Sequence, residues 1–185
     1  YLKSSAPGGA QWHLTGDLAN GKPWDLKLTT DRGDLNLPWG KFGTIFSDDL
    51  ADGLSPPQSG GLLLTLHLWQ RIIDKGLKHF GEVYYLGQLP YGLDCRLADC
   101  LVGIHAGIET RFFFDPKTID LVSIEMFSHD ERDPCEVVFT DFGPLSGRRL
   151  PRSWVIRNGD QEFVRWNVDQ WQFDQPLQPE DEGTY

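Results

Sequence analysis

Residues 62–80 carry the clearest hydrophobic periodicity in the chain. Apolar side chains recur there at steps of three and four, which is the spacing of one helix face; they are Leu62, Leu66, Trp69, Ile73, Leu77 and Phe80. Leu63, Leu64, Leu68 and Ile72 widen this stripe, and His67, Arg71, Asp74 and Lys78 leave a narrow polar side. Gly81 follows as the predicted helix end. A stripe this broad needs apolar cover over most of its circumference, which a curved sheet supplies better than a flat one.

The segments on both sides of this helix alternate with a period of two. Within residues 11–46, Trp24, Leu26 and Leu28 precede the turn "TDRGD", Leu35 and Leu37 follow it, and "KFGTIF" is a third predicted strand. From residue 82 onward, short strands joined by polar turns predict an antiparallel meander, in which Asn158-Gly159 is the strongest hairpin signal. Residues 47–61 are rich in Gly, Pro and Asp and are predicted to form a loop.

These patterns together predict an α+β fold, in which a strongly curved antiparallel β-sheet, a half-barrel meander, wraps one main amphipathic helix. The length of 185 residues fits a single domain. We place this β-rich domain at residues 1–175 and interpret residues 176–185 as an acidic tail or linker.

The stretch "RFFFDP" at 111–116 raises the question of what covers Phe113, because neighbouring side chains of a strand point to opposite faces. If Phe114 pairs with Leu121 across "DPKTID", then Phe113 lies opposite Val122. One face would then carry Ile108, Phe112, Phe114, Leu121 and Phe127, and the other Phe113, Val122, Ile124 and Met126. The second face would need a lid, another domain or a ligand, unless its rings are simply tolerated at the surface.

The formal net charge of −10 argues against binding to nucleic acid, because phosphate contacts depend on Lys and Arg. No apolar run approaches the ~18 residues that a transmembrane helix needs. The chain begins at Tyr1 rather than Met, so we expect it to be cut from a longer protein, with any signal peptide missing.

Three cysteines leave the disulfide pairing open. The spacing "CRLADC" would allow Cys95 and Cys100 to close a small loop, and either could instead pair with Cys135. Three buried thiols acting as small apolar side chains are an equally good interpretation.

The chain shows no familiar catalytic motif: it lacks the nucleophile elbow, the phosphate-binding loop and the zinc-protease motif. Glu125 and Asp141 lie in strand patterns and could face each other across the sheet, which would suit acid–base chemistry if they lined a cleft. We expect no catalytic residue, no metal and no cofactor in this chain.

Two stretches give the second half of the chain a family resemblance. "RFFFDPKTIDLVSIEMF" and "VVFTDFGPLSGRRLPRSWVIRNGD" form a hairpin, a strand and a "G…LP" opening that resemble the lipoprotein-localisation carrier superfamily, which is LolA/LolB-like. This resemblance covers about residues 82–173 and implies a half-barrel that holds helices in its concave side. "GGLLLTLHLWQRIIDKGLKHFGEVYYLGQLPYG" and "EMFSHDERDPCEVVFTDF" also resemble the C-terminal accessory region of bacterial secreted trypsin-like peptidases.

The resemblance and the apolar pattern together predict a non-catalytic binding module, located in the periplasm or outside the cell. Its concave face would hold a lipid acyl chain or an apolar peptide, with the loop at 47–61 as the gate. The predicted lining residues are Leu66, Trp69, Ile73, Phe112, Phe114, Leu121, Phe127 and Trp154.

Two alternatives stay open from the sequence. The chain could be a protein-interaction or accessory domain of a larger secreted protein, in which a neighbour covers Phe113, Val122, Ile124 and Met126. It could also be a hydrolase whose site follows no known motif.

Overall fold

A computed structural model describes residues 11–46, 50, 54–129 and 131–174. The expected acidic tail, the start of the chain and much of the predicted gate loop lie outside these residues. The described part contains two helical segments, α1 (Leu62–Lys75) and α2 (Leu77–Phe80). Its strands are β1 (Gln11–Leu18), β2 (Pro23–Thr29), β3 (Arg32–Leu37), β4 (Gly40–Ile45), β5 (Glu82–Tyr91), β6 (Arg96–His105), β7 (Ile108–Phe114), β8 (Leu121–Phe127), β9 (Cys135–Leu145), β10 (Arg148–Asn158) and β11 (Gln161–Asp174).

All these strands belong to one antiparallel sheet in the order β4-β3-β2-β1-β11-β10-β9-β8-β7-β6-β5. The four strands that precede the helices in the sequence, β1 to β4, are neighbours in chain order. The seven that follow the helices, β5 to β11, are neighbours in chain order as well. These two runs of strands meet where β1 pairs with β11. β4 and β5 are the two outermost strands, so the described sheet is open.

The sheet curves around α1. This helix contacts β2 and β3 on one side and β8 and β9 on the other. In the sheet order β3 and β8 are six strand steps apart, which would be about 29 Å on a flat sheet, whereas a helix is only ~10 Å wide. Both groups of strands can reach one helix only because the sheet bends around it. The predicted fold class, a curved antiparallel sheet wrapping an amphipathic helix, is confirmed.

The helix is shorter than the periodicity predicts. It ends at Lys75, because Gly76 adopts φ 73° and ψ 169°, a conformation outside the helical region that glycine adopts most readily. The four residues of α2 then turn the chain toward β5 and β6, and Phe80 packs on Gly103 of β6. A Cβ atom at Gly103 would lie 2.5 Å from Cε1 of Phe80, so this contact requires glycine.

A cluster of indole rings fills the space between α1 and the middle of the sheet. Trp69 of α1 lies 5.1 Å from Trp12, 5.5 Å from Trp171 and 5.8 Å from Trp154, measured between ring centroids. Edge-to-face and tilted packing at these distances is favourable beyond the area buried. The concave side is therefore a packed core along α1.

The register between β7 and β8 differs from the sequence-based prediction. Phe114 does pair with Leu121, but an irregularity between Phe113 and Phe114 shifts the rest by one residue. Phe113 is therefore opposite Ser123, and Phe112 is opposite Ile124 instead of Ser123. Our assignment of Ile124 and Met126 to the second face was wrong, since both are fully buried in the main core beside the helix.

Phe113 is covered by this chain itself. Its ring is 1% exposed and belongs to a small second cluster on the outer face, away from the helix. Tyr91, at the end of β5, provides the cover at a centroid distance of 6.1 Å. The remaining buried members of the second cluster are Ala98, Cys100, Val102 and Val122. The last turn of the β5–β6 hairpin thus closes over the outer face, and no neighbouring molecule is needed there.

Candidate ligand groove

Most of the predicted lining residues are core residues. Six of the eight are at most 7% exposed and pack together in the main core; they are Leu66, Trp69, Ile73, Phe112, Leu121 and Trp154. They form the floor and support of the concave face. Access for a ligand therefore depends on where the helical cover ends.

An apolar groove lies beyond the end of α1, on the concave face of β5, β6 and β7. It has a volume of about 280 Å³, close to the lower limit of ~300 Å³ for small-molecule sites. We call it the apolar groove and define it by its lining residues, which are Leu77, Tyr85, Asp99, Leu101, Phe114, Asp115 and Ile119. Leu77 is 42% exposed and Tyr85 is 62% exposed, so the groove opens to solvent.

The groove owes its position to the break at Gly76. The chain changes direction there, and α2 places Phe80 against β6 while Leu77 lies at the groove. Leu101 and Phe114 belong to neighbouring strands, and both also pack on the edge of the main core.

Two carboxylates share this otherwise apolar lining. Asp99 accepts a hydrogen bond from the Tyr85 hydroxyl at 2.9 Å, which raises the pKa of Tyr85 and keeps its hydroxyl protonated. Asp115 caps the β7–β8 turn, because its Oδ1 accepts hydrogen bonds from the main-chain N–H groups of Lys117 and Thr118, each at 2.8 Å. These bonds lower the pKa of Asp115, so this carboxylate is ionised at neutral pH.

Phe114 and Phe127, the two remaining predicted lining residues, lie apart. Phe114 is half-buried and lines the groove. Phe127 pairs with Glu109 and lies under the Arg111 guanidinium, whose Cζ is 4.4 Å from the ring centroid. This contact places Phe127 on the outer face, away from the groove.

Sequence reasoning missed six of the seven groove residues, which are Leu77, Tyr85, Asp99, Leu101, Asp115 and Ile119. A signal existed in "CRLADCLVG", where Leu97, Asp99 and Leu101 alternate with the buried Ala98, Cys100 and Val102. β6 therefore has an apolar outer face and a mixed inner face, and it lies next to the outermost strand, β5. Leu77 was in the predicted helix stripe but not among the predicted lining residues.

A second cavity of about 360 Å³ lies on the outer face, between the β5–β6 hairpin turn and β8, β9 and β10. Its charged residues form a row across the strands: Glu125 is paired with Glu136, and Glu136 is paired with Arg157. Arg157 Nη1 lies 3.0 Å from Glu136 Oε2, and both side chains are 9% exposed. Burial, with a further contribution from Glu136, raises the pKa of Glu125 to about 7. Glu125 thus faces Glu136 rather than Asp141, whose partner is Arg152.

The described part of the predicted gate loop lies at the other end of the helix. Ser59 Oγ accepts hydrogen bonds from the N–H groups of Gly61 and Leu62, at 3.2 Å and 3.0 Å, and so caps α1. Leu54, Pro56, Gln58 and Gly60 line a polar cavity there with residues from two β-turns. None of these described loop residues lines the apolar groove, which begins at the C-terminal end of α1.

His67 is buried although it lies on the polar side of the helix stripe. Its ring stacks on Phe46 at a centroid distance of 3.9 Å. Burial lowers its pKa to about 4, with smaller contributions from Arg71 and His105. His67 is therefore neutral at physiological pH and packs as an aromatic side chain.

All three cysteines are free thiols. Cys95 is exposed in the β5–β6 turn, and Cys100 and Cys135 are buried. Burial raises the pKa of Cys100 to about 11 and that of Cys135 to about 12. The interpretation as buried thiols, one of the alternatives that the sequence left open, holds for Cys100 and Cys135 but not for the exposed Cys95.

Within residues 11–46, 50, 54–129 and 131–174, no group of three His, Cys, Asp or Glu side chains is arranged to hold a metal ion. The helices in the same part of the chain are too short or too polar to cross a bilayer.

Known proteins resemble this chain in structure but not in sequence. No protein-family model matches it, and no curated protein matches it significantly. A solved LolA superfamily protein from Nitrosomonas europaea aligns with a TM-score of 0.48 and 8% identity, over 96% of this chain and 91% of that one. A candidate outer membrane lipoprotein-sorting protein domain from Vibrio parahaemolyticus aligns with a TM-score of 0.46 and 10% identity, over 92% of this chain and 86% of that one.

Proposed function

We propose that this chain is a non-catalytic module that binds an apolar chain, either a lipid acyl chain or a short apolar peptide segment, in the apolar groove. The observation that carries this proposal is an open depression with four aliphatic or phenyl side chains in its wall, at the place where the helical cover of the sheet ends. These residues are Leu77, Leu101, Phe114 and Ile119.

The free energy for such binding would come from removing apolar surface from water. Each methylene group that is buried contributes roughly 0.8 kcal/mol. A chain of several methylene groups would therefore bind without any specific polar contact. The main core behind the groove is packed, so the bound chain would lie along the groove and not beneath α1.

The composition of the groove favours binding over catalysis. Its described lining contains no Ser, Cys, His or Lys side chain that could act as a nucleophile. The tyrosine present has a raised pKa and donates its proton to Asp99 in a hydrogen bond. We therefore propose that any chemistry of the parent protein lies outside this chain.

The resemblance of the "RFFFDPKTIDLVSIEMF" hairpin to lipoprotein-localisation carriers supports a periplasmic or extracellular location as part of the same proposal. The alternative of a protein neighbour covering the outer face loses its basis, because Phe113 and Val122 are buried by the β5–β6 hairpin of the same chain. An accessory role beside a secreted peptidase stays compatible with the groove, since the bound apolar segment could belong to such a partner.

The test uses the neutral apolar dye N-phenyl-1-naphthylamine, whose fluorescence rises in an apolar site. We expect binding to the wild-type chain, and an affinity about fivefold lower for Leu77→Ser, which removes one wall of the groove. Leu93→Ser is the matched control, because Leu93 is 77% exposed at the outer cavity. Equal loss in both variants, or no binding to the wild type, would refute the proposal.

A further inference from the structure

The polar lining of the apolar groove is entirely acidic or neutral. Asp99 and Asp115 are its charged members, and no Lys or Arg side chain of the described residues lines it. Lys117 acts on Asp115, but it contributes least among the causes that lower the pKa of that carboxyl, whereas two main-chain N–H groups contribute most. The groove therefore presents negative charge beside an apolar wall.

The two carboxylates have hydrogen bonds that fix their positions. Asp99 accepts from the Tyr85 hydroxyl through Oδ1, and Asp115 is held by the N–H groups of the β7–β8 turn through its own Oδ1. Tyr85 and Asp99 come from the adjacent strands β5 and β6, and Asp115 follows the end of β7. A ligand in the groove would thus meet both carboxylates without a rearrangement of the main chain.

We propose, on the basis of the binding function above, that the groove selects a single-chain amphiphile with a cationic head group, such as a primary amine. Its alkyl chain would lie against Leu77, Leu101 and Phe114, and its ammonium group would lie between Asp99 and Asp115. An anionic head group, such as the carboxylate of a free fatty acid, would be repelled at the same position.

The volume of the groove limits the number of ligand alkyl chains that can bind in it. Its volume of about 280 Å³ is near the lower end of the range for small-molecule sites, ~300–1,000 Å³. It therefore suits one alkyl chain and not the two or three chains of a phospholipid or a triacylated lipoprotein anchor.

The experiment compares three ligands that share one alkyl chain and differ only in the head group: dodecylamine, dodecanol and dodecanoate. Each displaces N-phenyl-1-naphthylamine from the full chain at pH 7.5 in 150 mM salt, below the concentration at which micelles form. At this ionic strength the Debye length is ~8 Å, so attraction by the distant charges of the chain is largely screened. We expect dodecylamine to bind about tenfold more tightly than dodecanoate, with dodecanol between them.

The matched variants separate the local carboxylates from the overall charge. In the double variant Asp99→Asn with Asp115→Asn, the preference for amine over carboxylate, taken as the ratio of the two affinities within that variant, should fall below twofold. Asparagine keeps an oxygen for the Tyr85 hydroxyl and for the turn, and continued binding of N-phenyl-1-naphthylamine shows that the groove still forms in this variant. The control double variant Asp17→Asn with Asp169→Asn removes two exposed carboxylates on β1 and β11 and should keep the full preference.

Three results would overturn the inference. Equal affinity for the three ligands in the wild type would leave the apolar groove as a binding site but remove its head-group selectivity. A preference that persists in Asp99→Asn with Asp115→Asn, or is lost in the control, would place the selectivity elsewhere. Binding of none of the three ligands would refute both the inference and the proposed function.

Discussion

Glu125 of β8 and Glu136 of β9 lie directly opposite each other on the outer face of the sheet. Like charges at directly paired positions repel, and only one of the two carboxylates has the buried Arg157 as its close partner. Arg111 is more distant from Glu125, with 3.8 Å between Nη1 and Oε2, and it is shared with Glu109. Burial, together with this repulsion from Glu136, raises the pKa of Glu125 to about 7.

This pair predicts that Glu125 contributes a loss of stability as the pH rises from about 4.5 to about 7. Between these pH values the folded chain keeps a proton on Glu125 that the carboxyl has already released in the unfolded chain. A rise in pH therefore favours unfolding. In urea unfolding curves, Glu125→Gln should remove on the order of 2 kcal/mol of this loss. The variant should therefore be more stable than the wild type at pH 8 and no more stable than it at pH 4.

Glu162→Gln is the matched control for this prediction, because Glu162 is exposed and pairs with Arg165 at the surface. It should leave the pH profile unchanged. A profile that is the same in the wild type and in Glu125→Gln would show that Glu125 is ionised normally in the folded chain.

His67 predicts a pH effect of the opposite sign. Its pKa in the folded chain is about 4, below the ordinary value of 6.5, so the unfolded chain takes up a proton that the folded chain does not. Stability is thus present above pH 6.5 and is lost as the pH falls toward 4. His67→Phe should keep the stacking on Phe46 and remove this acid-induced loss.

The measurement is again urea unfolding between pH 4 and pH 8, read as the difference between variant and wild type. His67→Phe should gain stability relative to the wild type as the pH falls, whereas Glu125→Gln should gain as the pH rises. His79→Phe serves as the control because His79 is exposed. If His67→Phe follows the wild type at every pH, the burial of a neutral histidine is contradicted.

Trp69 predicts a large loss of stability when its ring is truncated. Its ring packs on Trp12, Trp154, Trp171 and Phe139, so Trp69→Ala would leave a cavity between helix and sheet. The expected cost is about 3–5 kcal/mol in the free energy of unfolding.

Trp39→Ala is the comparison for this substitution, because Trp39 is 54% exposed near the sheet edge. It should cost less than about 1 kcal/mol. Similar costs for the two variants would mean that the indole cluster is not the packed centre of the fold.

The thiols predict a simple labelling pattern. With 5,5′-dithiobis(2-nitrobenzoate) at pH 7.5, the native chain should react rapidly at Cys95 alone, since Cys100 and Cys135 are buried and have pKa values of about 11 and 12. Unfolded chain should react at three thiols. Cys95→Ser should abolish the rapid phase, and a thiol that still reacts rapidly in that variant would show that Cys100 or Cys135 is accessible to the reagent.

The strands were predictable because their alternation is local. Trp24, Leu26 and Leu28 follow the period of two that a half-buried strand imposes, and the structure has β2 over these residues. The wrapped helix followed from the width of its apolar stripe, which no flat surface could bury. These features depend on a few neighbouring residues, so the sequence alone determines them.

The parts that sequence reasoning missed depend on contacts between distant segments. The irregularity between Phe113 and Phe114 leaves Val122 of β8 as an extra, unpaired residue. Nothing in three consecutive phenylalanines indicates where the facing strand has this extra residue. His67 is buried because Phe46, more than twenty residues away, stacks on it.

The groove was only partly predictable for the same reason. Phe112 and Phe114 are two residues apart in β7 and therefore point to the same face of the strand. Phe112 is nevertheless fully buried in the core, whereas Phe114 lines the groove. The difference arises where α1 stops at Gly76, and a continuous apolar stripe across that glycine hides the stop. Hydrophobic periodicity thus identifies the concave face but cannot separate its covered part from its open part.

The pairing of β1 with β11 has a consequence for how the chain acquires its structure during synthesis. Among the described strands, those before α1 form β-ladder pairs with the later meander through β1 and β11 alone. The partners in this ladder are separated by most of the sequence, as in Gln11 with Asp174. A ribosome must therefore translate nearly to residue 174 before the first four strands gain their permanent neighbour. Contacts of such long range slow folding, and until then the exposed edge of β1 is open to association with other nascent chains.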